Sequence, residues 1–379
     1  MLSVRLAQED LHRYAQIVAR GVSGRSTQPV QSNILLEAAG GSLRMVASDL
    51  EFLHLDAQVP AVVEGEGAIT VPARLLVEVT GALPSEEVEL VATEQDTLKV
   101  ACGRSHYDIR GLPAEDFETL PPLDGATALE LPQRVLHRVI TQTIFAVSRD
   151  ESRVILTGVN FSMTPGRLDV VATDTYRLAL RRVTEGTPGV GSLNIDEPRQ
   201  AIVAARCLHE VHRLLDADSE EPVRLALTEN LVEFSFANVK IASRLIEGKF
   251  PSYEKVLPSG HDKVVLVRVA DLQQALRRVL VVAREDANRA VFRVAGEVMT
   301  VTAEHPDVGR AEEELEAELE GEAVEIAFNA RYLLDVLEPM ETERLRMEMS
   351  GPLSAATLRP EGDEEYLYVL MPMQILAGR

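Results

Sequence analysis

Gly41-Ser-Leu-Arg-Met-Val-Ala-Ser-Asp49 recurs as Gly166-Arg-Leu-Asp-Val-Val-Ala-Thr-Asp174 and, more loosely, as Gly296-Glu-Val-Met-Thr-Val-Thr-Ala-Glu304. The spacing is 125 residues from Gly41 to Gly166 and 130 from Gly166 to Gly296. Self-similarity at a near-constant period means that one folding unit has been copied along the chain. Each copy is a turn glycine followed by the period-two alternation of a half-buried strand. Leu43, Leu168 and Val298 share one apolar column, and Val46, Val171 and Val301 share another. Two further markers keep the same order. Val71-Pro-Ala-Arg-Leu-Leu76, Val203-Ala-Ala-Arg-Cys-Leu208 and Phe328-Asn-Ala-Arg-Tyr-Leu333 each open a helical pattern, with Pro72 suited to a first helical position and Asn329 to an N-cap. Residues 8–22, 133–147 and 270–284 each read as an amphipathic helix; in the first, Leu11, Tyr14 and Val18 lie on one side and Arg13 and Arg20 on another. The period is too long for a solenoid repeat. Three α+β domains in tandem are therefore expected, each running helix, strands, helix, strands. Pro- and Gly-rich stretches at Leu120–Gly125 and Leu257–His261 set their limits at 1–124, 125–258 and 259–379.

Composition bounds the partners. The 379 residues carry a formal net charge of −22. That sign opposes phosphate contacts and an anionic membrane surface alike, so any nucleic-acid role must rest on where the cations sit. No apolar run approaches the ~20 residues of a membrane span, and the first six residues lack the apolar core and cleavage site of a signal peptide. Cys102 and Cys207 have no CxxC spacing, which leaves a reducing cytoplasm as the expected compartment.

Motifs of catalysis are missing from the sequence. No Gly-x-Gly-x-x-Gly follows a strand, and the phosphate-loop, His-Glu-x-x-His and Gly-x-Ser-x-Gly patterns are absent. His209 and His212 share a helix face but have no matching third ligand, so a metal centre is not expected. The acids Asp49, Asp174 and Glu304 close the three strand repeats; a catalyst would not recur in every copy, and a structural role at a strand end is the expectation. No cofactor is implied. In Glu312–Glu325, Leu315, Ala317 and Leu319 alternate with glutamates, which predicts an edge strand with an acidic outer side.

The positive charge is concentrated on the first helix of each copy. Windows 7–25, 133–153 and 268–289 hold twelve arginines against seven acidic residues. Arg13 and Arg20, and likewise Arg277 and Arg284, are seven apart and share a helix face. Recurrence in three copies points to one anionic partner. Arginines on helices without an aromatic platform contact phosphates and do not read bases. The candidate set is Arg13, Arg20, Arg25, Arg138, Arg149, Arg153, Arg277 and Arg284.

Four segments carry a resemblance over essentially the whole length: Thr173-Asp-Thr-Tyr-Arg-Leu178, Gly248-Lys-Phe-Pro-Ser-Tyr-Glu-Lys-Val-Leu-Pro258, Tyr368-Val-Leu-Met-Pro-Met373, and Cys102-Gly-Arg-Ser105 with Leu112-Pro-Ala-Glu-Asp-Phe117. The chain resembles the β subunit of bacterial DNA polymerase III, the sliding clamp. The resemblance implies a head-to-tail homodimer of clamp domains closed around double-stranded DNA without sequence preference. It also implies a processivity factor, not an enzyme, that tethers the polymerase III catalytic subunit and is opened by a separate clamp loader. Such a protein works in the cytoplasm, with the nucleoid during replication. A hydrophobic groove for the short peptides of clamp-binding proteins would be lined by Leu156, Thr173, Thr175, Tyr176, Arg177, Leu178, Pro251, Lys255, Val256, Leu353, Val369, Leu370, Met371, Pro372, Met373 and Ile375. For ring closure, the resemblance points to Tyr107 and Ile109 meeting Val281 and Val282 of a second subunit. The chain departs from the family pattern at Thr175-Tyr176, where Gly-His is common, at Lys255, where arginine is common, and at Gln374. Two other readings stand beside this one: a small-molecule enzyme using Asp174–Arg177, and a peptide-binding scaffold that does not touch DNA.

Overall fold

A computed structural model describes residues 1–22, 28–121, 123, 125–193, 195, 197–258 and 260–375. The first repeat runs β1 (Ser3–Ala7), α1 (Gln8–Val18), β2 (Asn33–Ala39), β3 (Ser42–Ser48), β4 (His54–Pro60), β5 (Val62–Gly65), β6 (Gly67–Pro72), α2 (Ala73–Ala82), β7 (Glu87–Ala92), β8 (Thr97–Cys102) and β9 (Ser105–Arg110). The second runs β10 (Thr127–Pro132), α3 (Gln133–Thr143), β11 (Gly158–Thr164), β12 (Arg167–Thr173), β13 (Arg177–Thr184), β14 (Arg199–Ala204), α4 (Ala205–Leu214), β15 (Pro222–Leu227), β16 (Leu231–Phe236) and β17 (Val239–Arg244). The third runs β18 (Lys263–Arg268), α5 (Val269–Ala283), β19 (Arg289–Ala295), β20 (Val298–His305), β21 (Gly309–Glu320), β22 (Val324–Asn329), α6 (Ala330–Leu337), β23 (Arg344–Met349), β24 (Ala356–Pro360) and β25 (Tyr366–Leu370). The order is the same three times, with β5 an addition in the first copy. No helix among the described residues is long and apolar enough to cross a membrane.

Local sequence explains the elements. In α1, Leu11, Ala15 and Val18 recur at helical spacing and are buried against α2, β3 and β4. The longer α5 buries Leu272, Ala275, Leu276, Val279, Leu280 and Ala283 against α6, β20 and β21. Truncating one of its leucines to alanine costs about 2–5 kcal/mol. All three predicted first helices form, each running directly into a short 3₁₀ turn. Asn329 caps α6 as expected, its Oδ1 accepting from the N–H groups of Arg331 (2.9 Å) and Tyr332 (3.3 Å). Pro72 does not enter α2: it ends β6, and the helix starts one residue later. The glutamate-rich run becomes β21, which ends at Glu320, so Glu322 and Glu325 fall outside it.

The chain packs as two compact units. Residues Met1–Gln133, Arg206–Leu214 and Ser219–Leu245 form the first, and Arg134–Ala205, Leu215–Asp218 and Ile246 onward form the second. Unit 1 holds a five-stranded sheet, β5-β1-β7-β8-β9, and an eight-stranded sheet, β10-β15-β16-β17-β4-β3-β2-β6. Unit 2 holds one twelve-stranded sheet, β14-β11-β12-β13-β25-β24-β23-β18-β21-β20-β19-β22. In each unit two repeats share a sheet through one antiparallel seam. In unit 1, β4 pairs β17 with His54 opposite Ala242 and Ala57 opposite Val239. In unit 2, β13 pairs β25 with Arg177 opposite Leu370 and Arg181 opposite Tyr366. Both seams join the third strand of one repeat's first meander to the last strand of the next repeat.

Candidate functional site

Burial of the apolar stripes turns the polar faces of α1 and α5 outward, and the first-helix arginines follow. Arg13, Arg149, Arg277 and Arg284 are exposed and make no ion pair among the described residues. Three other candidates are not free cations. Arg20 lies 3.5 Å from Glu210, Arg138 is paired with Glu341, and Arg153 lies 3.5 Å from Asp150 and bonds Thr175 Oγ1 at 3.2 Å. Arg25 lies outside the described residues. On α5 the neighbouring Arg278 grips Glu313 of β21 through two bonds of 2.8 and 2.6 Å. The recurring cationic helix is present, but carboxylates offset part of it.

The second candidate site lies in unit 2, where the β12–β13 turn meets the end of β25. The turn is built by side chains. Asp174 Oδ1 accepts from the N–H groups of Tyr176 (3.0 Å) and Arg177 (3.1 Å), and Thr173 Oγ1 donates to the carbonyl of Arg177 at 2.6 Å. Thr175 is thereby held at φ +80°, a left-handed conformation unusual for a β-branched residue. The turn presents Tyr176 to solvent. Its carbonyl accepts from Met371 N–H at 2.9 Å, and Met373 N–H is bonded to Ala327 O at 2.7 Å, so the segment after β25 is anchored at both methionines.

Of the sixteen groove candidates, Thr175, Tyr176, Pro251, Lys255, Val256, Leu353, Met371 and Ile375 are exposed, and Pro372 and Met373 are half-buried. Leu156, Thr173, Leu178, Val369 and Leu370 are buried and serve as supports, not as surface. Sequence register joins Thr173–Leu178 to Val369–Met373 directly. The segment carrying Pro251, Lys255 and Val256 is tied to β12 by Tyr253, whose hydroxyl bonds Asp169 at 3.2 Å.

Arg177 requires a correction. Only 7% exposed, it is committed internally: Nε to Asp174 Oδ2 (3.0 Å), Nη1 to Asp335 Oδ2 (2.6 Å) and Nη2 to the carbonyl of Phe145 (2.6 Å). Its guanidinium also stacks over the rings of Tyr332 (4.1 Å) and Phe145 (5.5 Å). Burial works against its charge, but Tyr368, Asp335 and Asp174 outweigh that and raise its pKa above the ordinary value. Arg177 therefore shapes the site from behind. Phe145, Tyr332 and Asp335 were not singled out from sequence. The signal for the last two was their place in the recurring second helix, where Tyr332 follows the repeated arginine and Asp335 occupies the column of Glu78 and Glu210. Beside this network a cleft of about 610 Å³ is lined by Arg149, Arg153, Tyr176, Asn329 and Arg331, among others.

The predicted closing residues divide. Tyr107 on β9 and Val281 at the end of α5 are exposed, Val281 to 64%, and Val282 is half-buried. Ile109 is 2% exposed, so in the single chain its side chain packs into the unit's own core. Strand edges are more informative. β9 ends the five-stranded sheet. β21 pairs β20 through Gly309–Glu316 and β18 only through Ala317–Glu320, so the other flank of Gly309–Glu316 carries no strand among the described residues.

No grouping of three or more His, Cys, Asp or Glu able to hold a metal occurs among the described residues. Burial pushes the Cys207 thiol up to about 12, far from a reactive thiolate.

Family models match the chain in three consecutive stretches: the N-terminal domain of the DNA polymerase III beta subunit over residues 2–121, its central domain over 130–252, and its C-terminal domain over 254–374. The chain is 34% identical over 371 residues to the beta sliding clamp of Pseudomonas putida, covering 98% of this chain and 99% of that one. It is 28% identical over 365 residues to the beta sliding clamp of Staphylococcus aureus, covering 94% of each. Among solved structures, the DNA polymerase III subunit beta of Pseudomonas aeruginosa superposes with a TM-score of 0.92 at 32% identity, over 98% of this chain and 100% of that one. The sliding clamp of Bacillus subtilis gives a TM-score of 0.92 at 28% identity, over 99% of both chains. Three tandem copies of one α+β unit carrying outward arginines thus coincide with three consecutive family domains: the chain belongs to the DNA polymerase III β subunit family, the β sliding clamps, which are non-catalytic accessory subunits of the polymerase.

Proposed function

We propose that this chain is the processivity clamp of a replicative polymerase, acting in the cytoplasm as a head-to-tail homodimer that encircles duplex DNA and needs no cofactor. Its domains are 1–124, 125–258 and 259–379. The observation that carries the assembly is the recurring seam. β4 joins β17 and β13 joins β25, so the third strand of one repeat's first meander always takes the last strand of the next repeat. The remaining strands of these two kinds are β21 and β9, and both present an unpaired edge. They complement each other in charge: β21 carries Glu312, Glu314 and Glu316, and the turn and strand at β9 carry Arg104, His106 and Arg110. Two copies joined head to tail would satisfy every edge of this kind.

In that assembly Arg13, Arg20, Arg25, Arg138, Arg149, Arg153, Arg277 and Arg284 supply non-specific phosphate contacts. The peptide of a polymerase or clamp loader would dock on Tyr176, Val256, Leu353, Met371 and Met373. Methionine gives an adaptable apolar surface suited to several partners. The test is retention after loading onto nicked circular DNA. The protein should stay on the circle and leave once the circle is cut; equal loss from circular and linear DNA would end the encircling reading.

A further inference from the structure

A seam between consecutive repeats occurs once in each unit, so a groove on the seam of unit 2 has a counterpart in unit 1. In unit 2 the row Thr173, Leu178, Val369 crosses β12, β13 and β25, and Val171, Leu180, Leu367 lies beside it. Register puts Ser48, His54 and Ala242 in the first row of unit 1, across β3, β4 and β17, and Val46, Asp56 and Lys240 in the second. The apolar Leu178, Leu180, Leu367 and Val369 are thus exchanged for His54, Asp56, Lys240 and Ala242. The second row continues past the seam, with Ser235 on β16 opposite Lys240 and Arg224 on β15 opposite Ser235.

This counterpart is a cleft of about 410 Å³ between those rows and Thr119, Leu120, Pro121 and Leu123 of the connection between repeats. His54 lines it, only 7% exposed, and its Nδ1 has no hydrogen-bond partner. A buried polar atom left unpaired costs about 1–3 kcal/mol, which a ligand bonding it recovers. Arg44 is committed to its neighbours, donating to Asp56 (3.0 and 2.8 Å) and Glu37 (3.0 Å). Arg224 and Lys240 are exposed, and neither has a carboxylate partner among the described residues. They stand two strands apart, roughly 10 Å at about 4.8 Å per strand. Glu233, one row over on the strand between them, accepts from Ser235 Oγ at 2.8 Å and opposes a compact anion resting on both cations. Two separated carboxylates avoid it. In a polyproline II segment, side chains three residues apart point the same way at about 9 Å spacing.

We propose that this cleft is a second peptide site, selective for an extended acidic segment whose carboxylates, three residues apart, pair with Arg224 and Lys240 while its backbone bonds His54. The choice of a peptide rests on the reading of the unit 2 groove as a peptide site; the charge preference rests on the residues of unit 1 alone. Hydrogen bonds between ionised partners are the stronger kind. His54, held neutral because burial lowers its pKa, adds a hydrogen bond without adding charge. The two seams of one chain then sort partners by chemistry, apolar segments to unit 2 and acidic segments to unit 1.

Fluorescence anisotropy with the full chain tests it. The probes are labelled Pro-Asp-Pro-Pro-Asp-Pro, the same peptide with asparagine for both aspartates, and an isomer with the two aspartates adjacent. The first should bind, and the other two should bind at least about tenfold more weakly. Arg224→Gln with Lys240→Gln should weaken the first by at least about tenfold. Thermal unfolding and retention on nicked circular DNA should match the unmodified protein, because both side chains are exposed and neither belongs to the DNA or groove sets. Met371→Ala with Met373→Ala should leave affinity for the acidic peptide within about twofold. Affinity lost in that methionine variant, affinity kept in the double glutamine variant, or equal binding of the asparagine peptide would each overturn the site. Inorganic phosphate competing with an inhibition constant no weaker than the peptide's own dissociation constant would reduce the cleft to an anion site and overturn the peptide. Failure of the groove reading would show elsewhere, as polymerase peptides indifferent to the methionine variant, and would leave this titration untouched.

Discussion

Arg177 bonds a carboxylate on either side, Asp174 and Asp335, and packs against two aromatic rings, so removing it would leave the largely buried Asp174 without its cation and Asp335 with Arg331 alone. Breaking a buried pair from one side costs about 3–5 kcal/mol. Arg177→Ala should lower the unfolding free energy of unit 2 by that order in urea titrations. Arg177→Lys should recover less than half, because an ammonium can neither span both carboxylates nor stack; full recovery would show that charge alone suffices. His54 on β4 supports a pH prediction. Burial lowers its pKa below the ordinary 6.5, only partly opposed by Asp56, and its Nδ1 has no partner. The folded chain thus keeps it neutral while the unfolded chain takes up a proton near 6.5. Its contribution is complete above that pH and is lost as pH falls toward the lowered folded value. The urea midpoint of unit 1 should fall on acidification, and His54→Gln should flatten that dependence; an unchanged slope would clear His54. Neither environment was legible in the sequence. The motif around Arg177 could be read, but Asp335 stands 158 residues away and nothing local announces that the two meet.

At the scale of elements, the sequence was most readable where the pattern is local. The three first helices and the strands after Gly41 and Gly166 follow from apolar spacing, which residues next to each other decide, whereas the strand after Gly296 is shifted by one residue and buries Met299 in place of the expected Val298, which is 44% exposed. The seams do not follow from such spacing, because an edge strand chooses its neighbour through backbone groups that every sequence has. Hence the acidic alternation of β21 predicted a strand and its outer face, but not that its flank is free over only part of its length. The edge of β9 can be tested at backbone level. Gly103, at φ +56°, begins a two-residue turn between Cys102 and Ser105. That turn makes Cys102 and Ser105 a hydrogen-bonded pair and, by alternation, directs the backbone of His106 and Asp108 away from β8. Proline at both positions should therefore spare the β8–β9 hairpin while blocking any strand from adding to it. The expected outcome is a folded monomer at concentrations where the unmodified chain is a dimer, read by sedimentation alongside circular dichroism. A double-proline variant that still dimerises normally would exclude β9 from the interface.

The whole molecule has to reconcile a net charge of −22 with a partner made of phosphates. The reconciliation proposed here is that hold on DNA comes from closure and not from attraction. Only Arg13, Arg149, Arg277 and Arg284 among the described first-helix candidates are exposed without a carboxylate, so phosphate contacts per chain are few, and Arg20 and Arg138 are restrained by Glu210 and Glu341. Each phosphate contact contributes a slope of about −0.9 in log affinity against log salt. Affinity for short linear duplex should accordingly be weak and should collapse between about 50 and 200 mM salt. Replacing the four exposed arginines with alanine should make that slope shallower by several units of contact. Retention on a closed circle obeys a different rule, because escape requires a seam to open and salt acts on the seam, not on the phosphates. The lifetime on nicked circles should therefore be nearly the same for the unmodified protein and the four-alanine variant, even where their linear-duplex affinities differ by more than tenfold. A variant that leaves the circle in proportion to its lost linear affinity would mean that the arginines, and not the ring, keep the protein on DNA.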